Sequence, residues 1–215
     1  MSSEASQPYL NRYTDLGALI HIMETKKITL LNPSSWEDKN DVVFMEEYKK
    51  RTNSKSLLAL CFSQRREMPF HHWFVFAKGS TGVCIRFNRL NIIEKVNYLN
   101  CPGLTFREVN YISQNSGELS KLKTEDLPFS KRYGYKTEQE FRIVYRSTNT
   151  KPIFEIPIDR ECIQSVTLSP WVHPSIKESV RKLVRTMGEF KDLSVLRSGL
   201  ITSSRWQAHG RNAKS

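Results

Sequence analysis

Two carboxylates stand two residues apart in Lys136-Thr-Glu138-Gln-Glu140-Phe-Arg142-Ile-Val-Tyr145, at the mouth of an apolar run. On an extended backbone, residues i and i+2 share a face. That spacing predicts Glu138, Glu140 and Arg142 along one side of a strand, with Phe141 and Val144 entering the other. Three charges on one face of a core strand point to a bordering pocket. A carboxylate pair in such a pocket can bind a ribose hydroxyl, stabilise an oxocarbenium-like transition state or orient a nucleophile. The competing reading is an exposed strand end where Arg142 pairs one of the acids.

Three other groups of residues carry chemistry. Cys61-Phe62-Ser63 is an apolar strand closing on a hydroxyl, which either contacts a ligand or a neighbouring carboxylate or caps the turn that follows. No Gly-x-Ser-x-Gly elbow surrounds Ser63, which argues against a hydrolase serine. His71-His72-Trp73-Phe74-Val75-Phe76 reads as a strand whose adjacent histidines face opposite ways and cannot chelate one metal together. Trp73 or Phe76 there is either structural or a ring that stacks on a ligand. Asn11-Arg12-Tyr13 opens the chain's first strand, where Arg12 is either a surface cation or a bidentate clamp for a pyrophosphate. Walker and Rossmann glycine loops are absent, so nucleotide binding cannot rest on a Gly-rich turn.

The elements that must position these groups follow from periodicity. Strands are predicted at Tyr9–Tyr13, Ile28–Leu31, Leu57–Phe62, Gly82–Phe87, 105–112, 140–146, 153–158, 163–168 and 195–197. Leu16, Leu19, Ile20 and Met23 mark a helix capped by Thr14 or Asp15, with Lys26-Lys27 against its negative pole. A second helix spans Asp41–Lys50. A third starts at Ser175 with the capping-box pattern Ser175-Ile-Lys-Glu178 and ends at Gly188. Strands outnumber helices and do not alternate with them, which predicts an α+β fold: a mostly antiparallel, split sheet core with flanking helices. The division expected is a disordered lead-in over 1–8, one domain over 9–202 and a basic tail over 203–215.

With 39% hydrophobic and 26% charged residues, the chain has the composition of a folded protein rather than a disordered one. A net charge of +11 predicts attraction to phosphate-bearing partners and says nothing about fold. Cys61, Cys84, Cys101 and Cys162 form no CxxC pair, so they read as free thiols rather than zinc ligands. No signal peptide or membrane-spanning run is visible, and the expected compartment is the cytoplasm.

Five segments in order resemble a large, mostly bacterial family labelled domain of unknown function 2971. They are Leu10-Asn-Arg-Tyr-Thr-Asp-Leu16, Asn32-Pro-Ser-Ser-Trp36-Glu-Asp38, Cys61-Phe-Ser63, Trp73-Phe-Val-Phe76-Ala77 running into Gly82–Phe87, and Tyr135-Lys-Thr-Glu138-Gln-Glu140-Phe-Arg142. Phe76 replaces the family's usual Tyr, and Tyr135 its usual Trp. The arrangement is in turn similar to ADP-ribosyltransferases. That resemblance implies an enzyme using NAD, with Arg12, and Tyr13 beside it, holding the phosphates, and Ser63 supporting the nicotinamide ribose site. It implies stacking on nicotinamide by Trp73 or Phe76, Glu140 as the catalytic acid at the ribose 2′-hydroxyl, Glu138 orienting the acceptor, and no metal. The acceptor implied is a macromolecule, nucleic acid or protein, and a toxin or phage-defence role would suit such an enzyme. Two alternatives stay open. One is a non-catalytic nucleic-acid-binding module gripping phosphate through Arg65, Arg66, Lys131, Arg132 and the tail. The other is a metal-dependent nuclease built on Asp38, Glu138 and Glu140.

Overall fold

Alternating β-branched and aromatic residues build a central sheet, and helices pack on it. The computed structural model describes residues 8–77 and 79–213; most of the expected lead-in lies outside them. In chain order the first elements are β1 (Tyr9–Asp15), α1 (Leu16–Thr25), β2 (Lys27–Leu30), α2 (Lys39–Arg51), β3 (Ser56–Ser63) and α3 (Phe70–Phe76). Next come β4 (Gly82–Asn88), α4 (Arg89–Tyr98), β5 (Leu104–Glu108), β6 (Asn110–Ile112), β7 (Ser130–Arg132) and β8 (Glu140–Ser147). The last are β9 (Phe154–Pro157), β10 (Ile163–Leu168), α5 (Pro174–Arg185), β11 (Ser194–Arg197) and α6 (Ser204–Arg211). The tail expected from 203 onward thus carries a short helix, exposed along its length. No helix among the described residues is long and apolar enough to cross a membrane.

Seven strands form one sheet in the order β11-β10-β4-β1-β3-β8-β5. Every neighbouring pair is antiparallel except β10 with β11. The fold is α+β, as the order of elements predicts. At the centre β1 meets β3 at a single register position, Asn11 opposite Ser63, while β1 pairs with β4 along its whole length. The sheet is therefore split beyond that contact. Arg12 occupies the split: its Nη1 donates to the Cys61 carbonyl at 3.2 Å, replacing a ladder bond that β1 would otherwise supply.

One face of the sheet holds the main core, with Leu58, Leu60, Phe62, Phe141, Ile143 and Tyr145 buried alongside α1 residues Leu19, Ile22 and Met23. The other face packs Leu57, Ala59 and Val144 against Met45 and Tyr48 of α2. Val144 thus lies on Arg142's side and not beside Phe141, as the two-residue period requires. The strand predicted over 105–112 breaks at Val109, whose N–H donates to the Glu140 carbonyl. β6 then leaves the sheet to pair with β7.

Local chemistry fixes the helices. Asp15 caps α1 by accepting from the Ala18 N–H at 2.8 Å. Lys26 ends that helix in the left-handed region (φ 56°) and pairs with Glu189 instead of facing the helix pole. α5 is capped by the His173 side chain with Pro174 at its first position, so Ser175 lies inside the helix and the capping box does not form. The His71–Phe76 segment is helix, not strand: Pro69 starts it, and the His72 and Trp73 N–H groups both donate to the Pro69 carbonyl.

Gly103 takes φ +86°, and a Cβ there would meet the Arg146 carbonyl oxygen at 2.3 Å. Gly103→Ala is expected to lower unfolding stability by more than about 1 kcal/mol. Gly134→Ala, with nothing within 4 Å of its added Cβ, should stay within about 0.5 kcal/mol of wild type. Urea midpoints at unchanged slope measure both.

Candidate functional site

Three strands carry the site. Asn11 on β1, Ser63 on β3 and Glu140 on β8 lie opposite one another in a cross-strand row, and Cys61 opposite Arg142 makes the next row. Directly paired residues share a face, so the strand ends present one polar surface beside the split. It borders a cleft of about 540 Å³, a size usual for small-molecule sites. Of the residues singled out in the sequence, Arg12, Tyr13, Ser63, Phe76, Glu138 and Glu140 line this cleft. Trp73 does not. It is fully buried beneath Tyr13, the two rings T-shaped at 5.3 Å, so it supports the cleft wall and is out of reach of a ligand. Phe76 stays 43% exposed and faces the cleft with Val75.

Ser63 acts on the chain rather than on open space. Its hydroxyl donates to the Glu138 carbonyl at 2.7 Å, and the neighbouring Gln64 N–H donates to the Gln139 carbonyl at 2.8 Å. Gln139 itself takes φ 45°. These ties fix the turn that delivers Glu138 and Glu140 into the cleft. From below, the Glu140 N–H donates to Tyr111 Oη at 2.8 Å. Arg12 lines the same cleft, and no carboxylate pairs with it among the described residues.

A buried charge network holds the dyad. Arg142, with no exposed surface, donates from Nε to Glu140 Oε1 at 2.6 Å and from Nη2 to Oε2 at 3.0 Å. Its other edge binds Asp41 through Nη1 at 2.8 Å and through Nη2, and Nη1 also donates to the Pro128 carbonyl. The Trp36 ring covers the guanidinium at 4.9 Å. Lys131 Nζ lies 2.7 Å from Glu138, 3.4 Å from Glu140 and 3.7 Å from Asp41. Arg142 is therefore no exposed strand-end partner: it is the centre of the site. Lys131, counted in the binding-module alternative as a phosphate contact, is committed to these three acids.

The two carboxyls are driven apart. Burial works against the charge on Glu140, but Arg142 and then Lys131 outweigh it and hold that carboxyl down to about 2. At Glu138 burial outweighs Lys131 and raises the carboxyl above its usual range. One acid stays ionised while its neighbour is the easier of the two to protonate, a pattern typical of sites that divide acid–base labour. Burial, then the charge of Glu140, push the Cys61 thiol well up. Burial, with His71 and Arg65 nearby, pushes His72 down to about 4.

The Glu140 shift has a stability consequence. The folded carboxyl titrates near 2 and the unfolded one near 4.5. Its contribution is complete above pH 4.5 and is lost as the pH falls toward 2. The stability gap between wild type and Glu140→Gln should narrow by about 3 kcal/mol across that window, read by urea unfolding over a pH series.

Asp41, Lys131, Trp36 and Tyr111 are parts of the site that sequence reasoning missed as such. Asp41 gave one signal: it follows the helix cap Asp38 by three residues, where an acid serves the helix terminus equally well. The three acids of the nuclease alternative, Asp38, Glu138 and Glu140, line this same cleft, and no group of three or more His, Cys, Asp or Glu side chains among the described residues is placed to hold a metal ion.

No family model matches the chain, and no curated protein does. The resemblance to the domain of unknown function 2971 family thus rests on its five segments. Among solved structures the chain is similar to Thermus sp. 2.9 DarT in complex with ADP-ribosylated ssDNA, at 12% identity and a TM-score of 0.48, covering 92% of this chain and 97% of that one. It is similar to the same protein in complex with carba-NAD+ (12% identity, TM-score 0.45, 90% of this chain and 97% of that one). The complex with NAD+ gives 13% identity and a TM-score of 0.44, over 90% of this chain and 96% of that one.

Proposed function

We propose that this chain is an ADP-ribosyltransferase that uses NAD and modifies a macromolecule. One observation carries the reading: residues 12, 13, 63, 76, 138 and 140, drawn from four separate stretches of sequence, border a single cleft. Those are the positions to which the resemblance assigns phosphate, nicotinamide ribose, ring and acid roles.

The chain's own groups fit such chemistry. Arg12, unpaired with any carboxylate among the described residues, is the cation for a pyrophosphate. Tyr13 and Phe76 offer ring faces to the nicotinamide end, with Trp73 as the support behind Tyr13. Glu140 accepts from the ribose 2′-hydroxyl and stabilises the positive charge that develops as nicotinamide departs. It can do so because Arg142 and Lys131 keep it ionised and fixed. Glu138 takes the acceptor's proton. Ser63 positions rather than binds, through its hold on the Glu138 carbonyl. The net charge of +11 favours a nucleic-acid acceptor over a protein one.

The test is nicotinamide release from labelled NAD by the purified protein, alone and with single-stranded DNA, RNA or lysate. Release that requires Glu140 and a label that moves to one macromolecule are expected. No release under any condition, or release undiminished in Glu140→Gln, refutes the proposal.

A further inference from the structure

The segment Asn32-Pro-Ser-Ser-Trp36-Glu-Asp38 has no role in the transferase reading, yet Ser35, Trp36, Glu37 and Asp38 all line the cleft. Local bonds fix its shape. Asn32 Oδ1 accepts from the Ser34 N–H at 3.0 Å, Pro33 is buried, and the Trp36 N–H donates to the Pro33 carbonyl at 3.0 Å. Lys39 Nζ donates to the Trp36 carbonyl at 3.0 Å and does not line the cleft. Pyrophosphate, nicotinamide and the nicotinamide ribose already have partners among the other lining residues. The adenosine half of NAD has none, and this segment is what remains.

Charge decides what the segment can take. Of the five carboxylates lining the cleft, Asp41, Glu138 and Glu140 are held by Arg142 and Lys131. Glu37 and Asp38 pair with no cation among the described residues. Asp38 Oδ1 caps α2 at the Asn40 N–H, 3.1 Å away, while its Oδ2 is buried without a partner. Of the three lining cations only Arg12 is free of carboxylates, and the pyrophosphate takes it. Ionised carboxylates accept hydrogen bonds and donate none. They suit a vicinal diol, which brings two O–H donors and no charge. A phosphate monoester brings more negative charge with no cation left to meet it.

Resting on the transferase reading, we propose that residues 35–38 form the adenosine subsite, where Glu37 accepts from the adenosine ribose 2′-hydroxyl and thereby selects NAD over NADP. Asp38 Oδ2 is the second acceptor that the diol can use. NADP carries a phosphate at that same 2′-oxygen. It loses the hydrogen bond and sets a dianion against two carboxylates, a discrimination on the order of 10²-fold. In dinucleotide-binding folds an acid serves the free 2′-hydroxyl and an arginine the 2′-phosphate. That contrast is a matter of charge and does not depend on the fold that presents it.

Nicotinamide release from NAD and from NADP, each over a concentration series, gives the ratio of their kcat/KM values. Wild type should favour NAD by about 10²-fold. Glu37→Arg should cut that preference by at least about tenfold, chiefly through a lower KM for NADP, and Glu37→Gln should fall between. Glu37 is exposed, and unchanged urea midpoints check that the variants fold alike. Calorimetry gives a readout that needs no turnover: ADP should bind wild type, 2′-phospho-ADP should not, and Glu37→Arg should bind both. Equal use of NAD and NADP by wild type, or a preference that Glu37→Arg leaves unmoved, overturns the proposal. Equal binding of the two nucleotides by wild type also overturns it, and nicotinamide release would then leave the transferase reading standing alone. If no protein releases nicotinamide yet the binding contrast holds, the transferase reading fails and the adenosine subsite stands.

Discussion

Arg142→Met is expected to destabilise the fold by about 3–5 kcal/mol, the range found when one partner of a buried ion pair is removed. For a chain of this size that is a fall in Tm of roughly 6–20 °C. The side chain being replaced is fully buried between Asp41 and Glu140, themselves 4% and 6% exposed. Methionine would fill much of the volume, so packing is a minor part of the loss. The larger part is two carboxylates left among Trp36, Pro128 and the sheet with only Lys131 near them. The variant should respond to that by taking up protons. Its deficit is therefore expected to shrink as the pH falls toward 4, the opposite of what a cavity would do. Asp41→Asn should cost less, because Arg142 keeps Glu140. A double-mutant cycle on Asp41 and Arg142 should return a coupling of about 1–3 kcal/mol. Additive effects of the two substitutions at neutral pH would mean that the pair does not act as a unit.

The same network explains what the sequence disclosed and what it hid. β8 was legible because Glu140 and Arg142 obey the two-residue period, and β3 because Leu57–Phe62 is continuously apolar; Glu138, expected on the same strand, instead ends a 3-10 turn and is set off from β8 by Gln139 at φ 45°. Periodicity also located α1 and α5 to within a residue or two. Asp41 was illegible: it comes from α2, and nothing local says that a polar residue in a helix's first turn faces a sheet rather than water. Lys131 was hidden for a related reason. It sits on the three-residue strand β7, beyond a polar stretch, and its neighbours Arg132 and Lys136 are exposed cations of the same kind. The His71–Phe76 run misled because its aromatic and β-branched residues have high strand propensity, which Pro69 and the buried pair His72 and Trp73 override. Arg12 could be named from its type, but its place in the split sheet is a tertiary fact, set by the single β1–β3 register.

Glu140→Gln is expected to lower nicotinamide release by about 10²–10³-fold, the usual effect of removing one preorganised electrostatic group from a site of developing charge. Glutamine preserves the shape and still accepts one hydrogen bond from Arg142, but it carries no charge and leaves that guanidinium with only Asp41 as an anionic partner. The loss should fall on kcat and kcat/KM together, because the group acts on the transition state more than on bound NAD. Arg12→Gln should show the contrary pattern. A cation for the pyrophosphate acts on ground state and transition state alike, so KM rises while kcat changes little. Glu140 should keep its charge as the pH drops through 5, since it titrates only near 2. Any loss of rate between pH 6 and 4 must then come from other groups: Glu138, whose carboxyl burial raises above its usual range, and His72, whose imidazole is held down to about 4 beneath the Tyr13 and Phe76 wall. His72→Phe is the variant that separates them: it should leave a flatter acid limb, while Glu140→Asp, which shortens the reach to the ribose, should lower the rate at every pH without moving that limb.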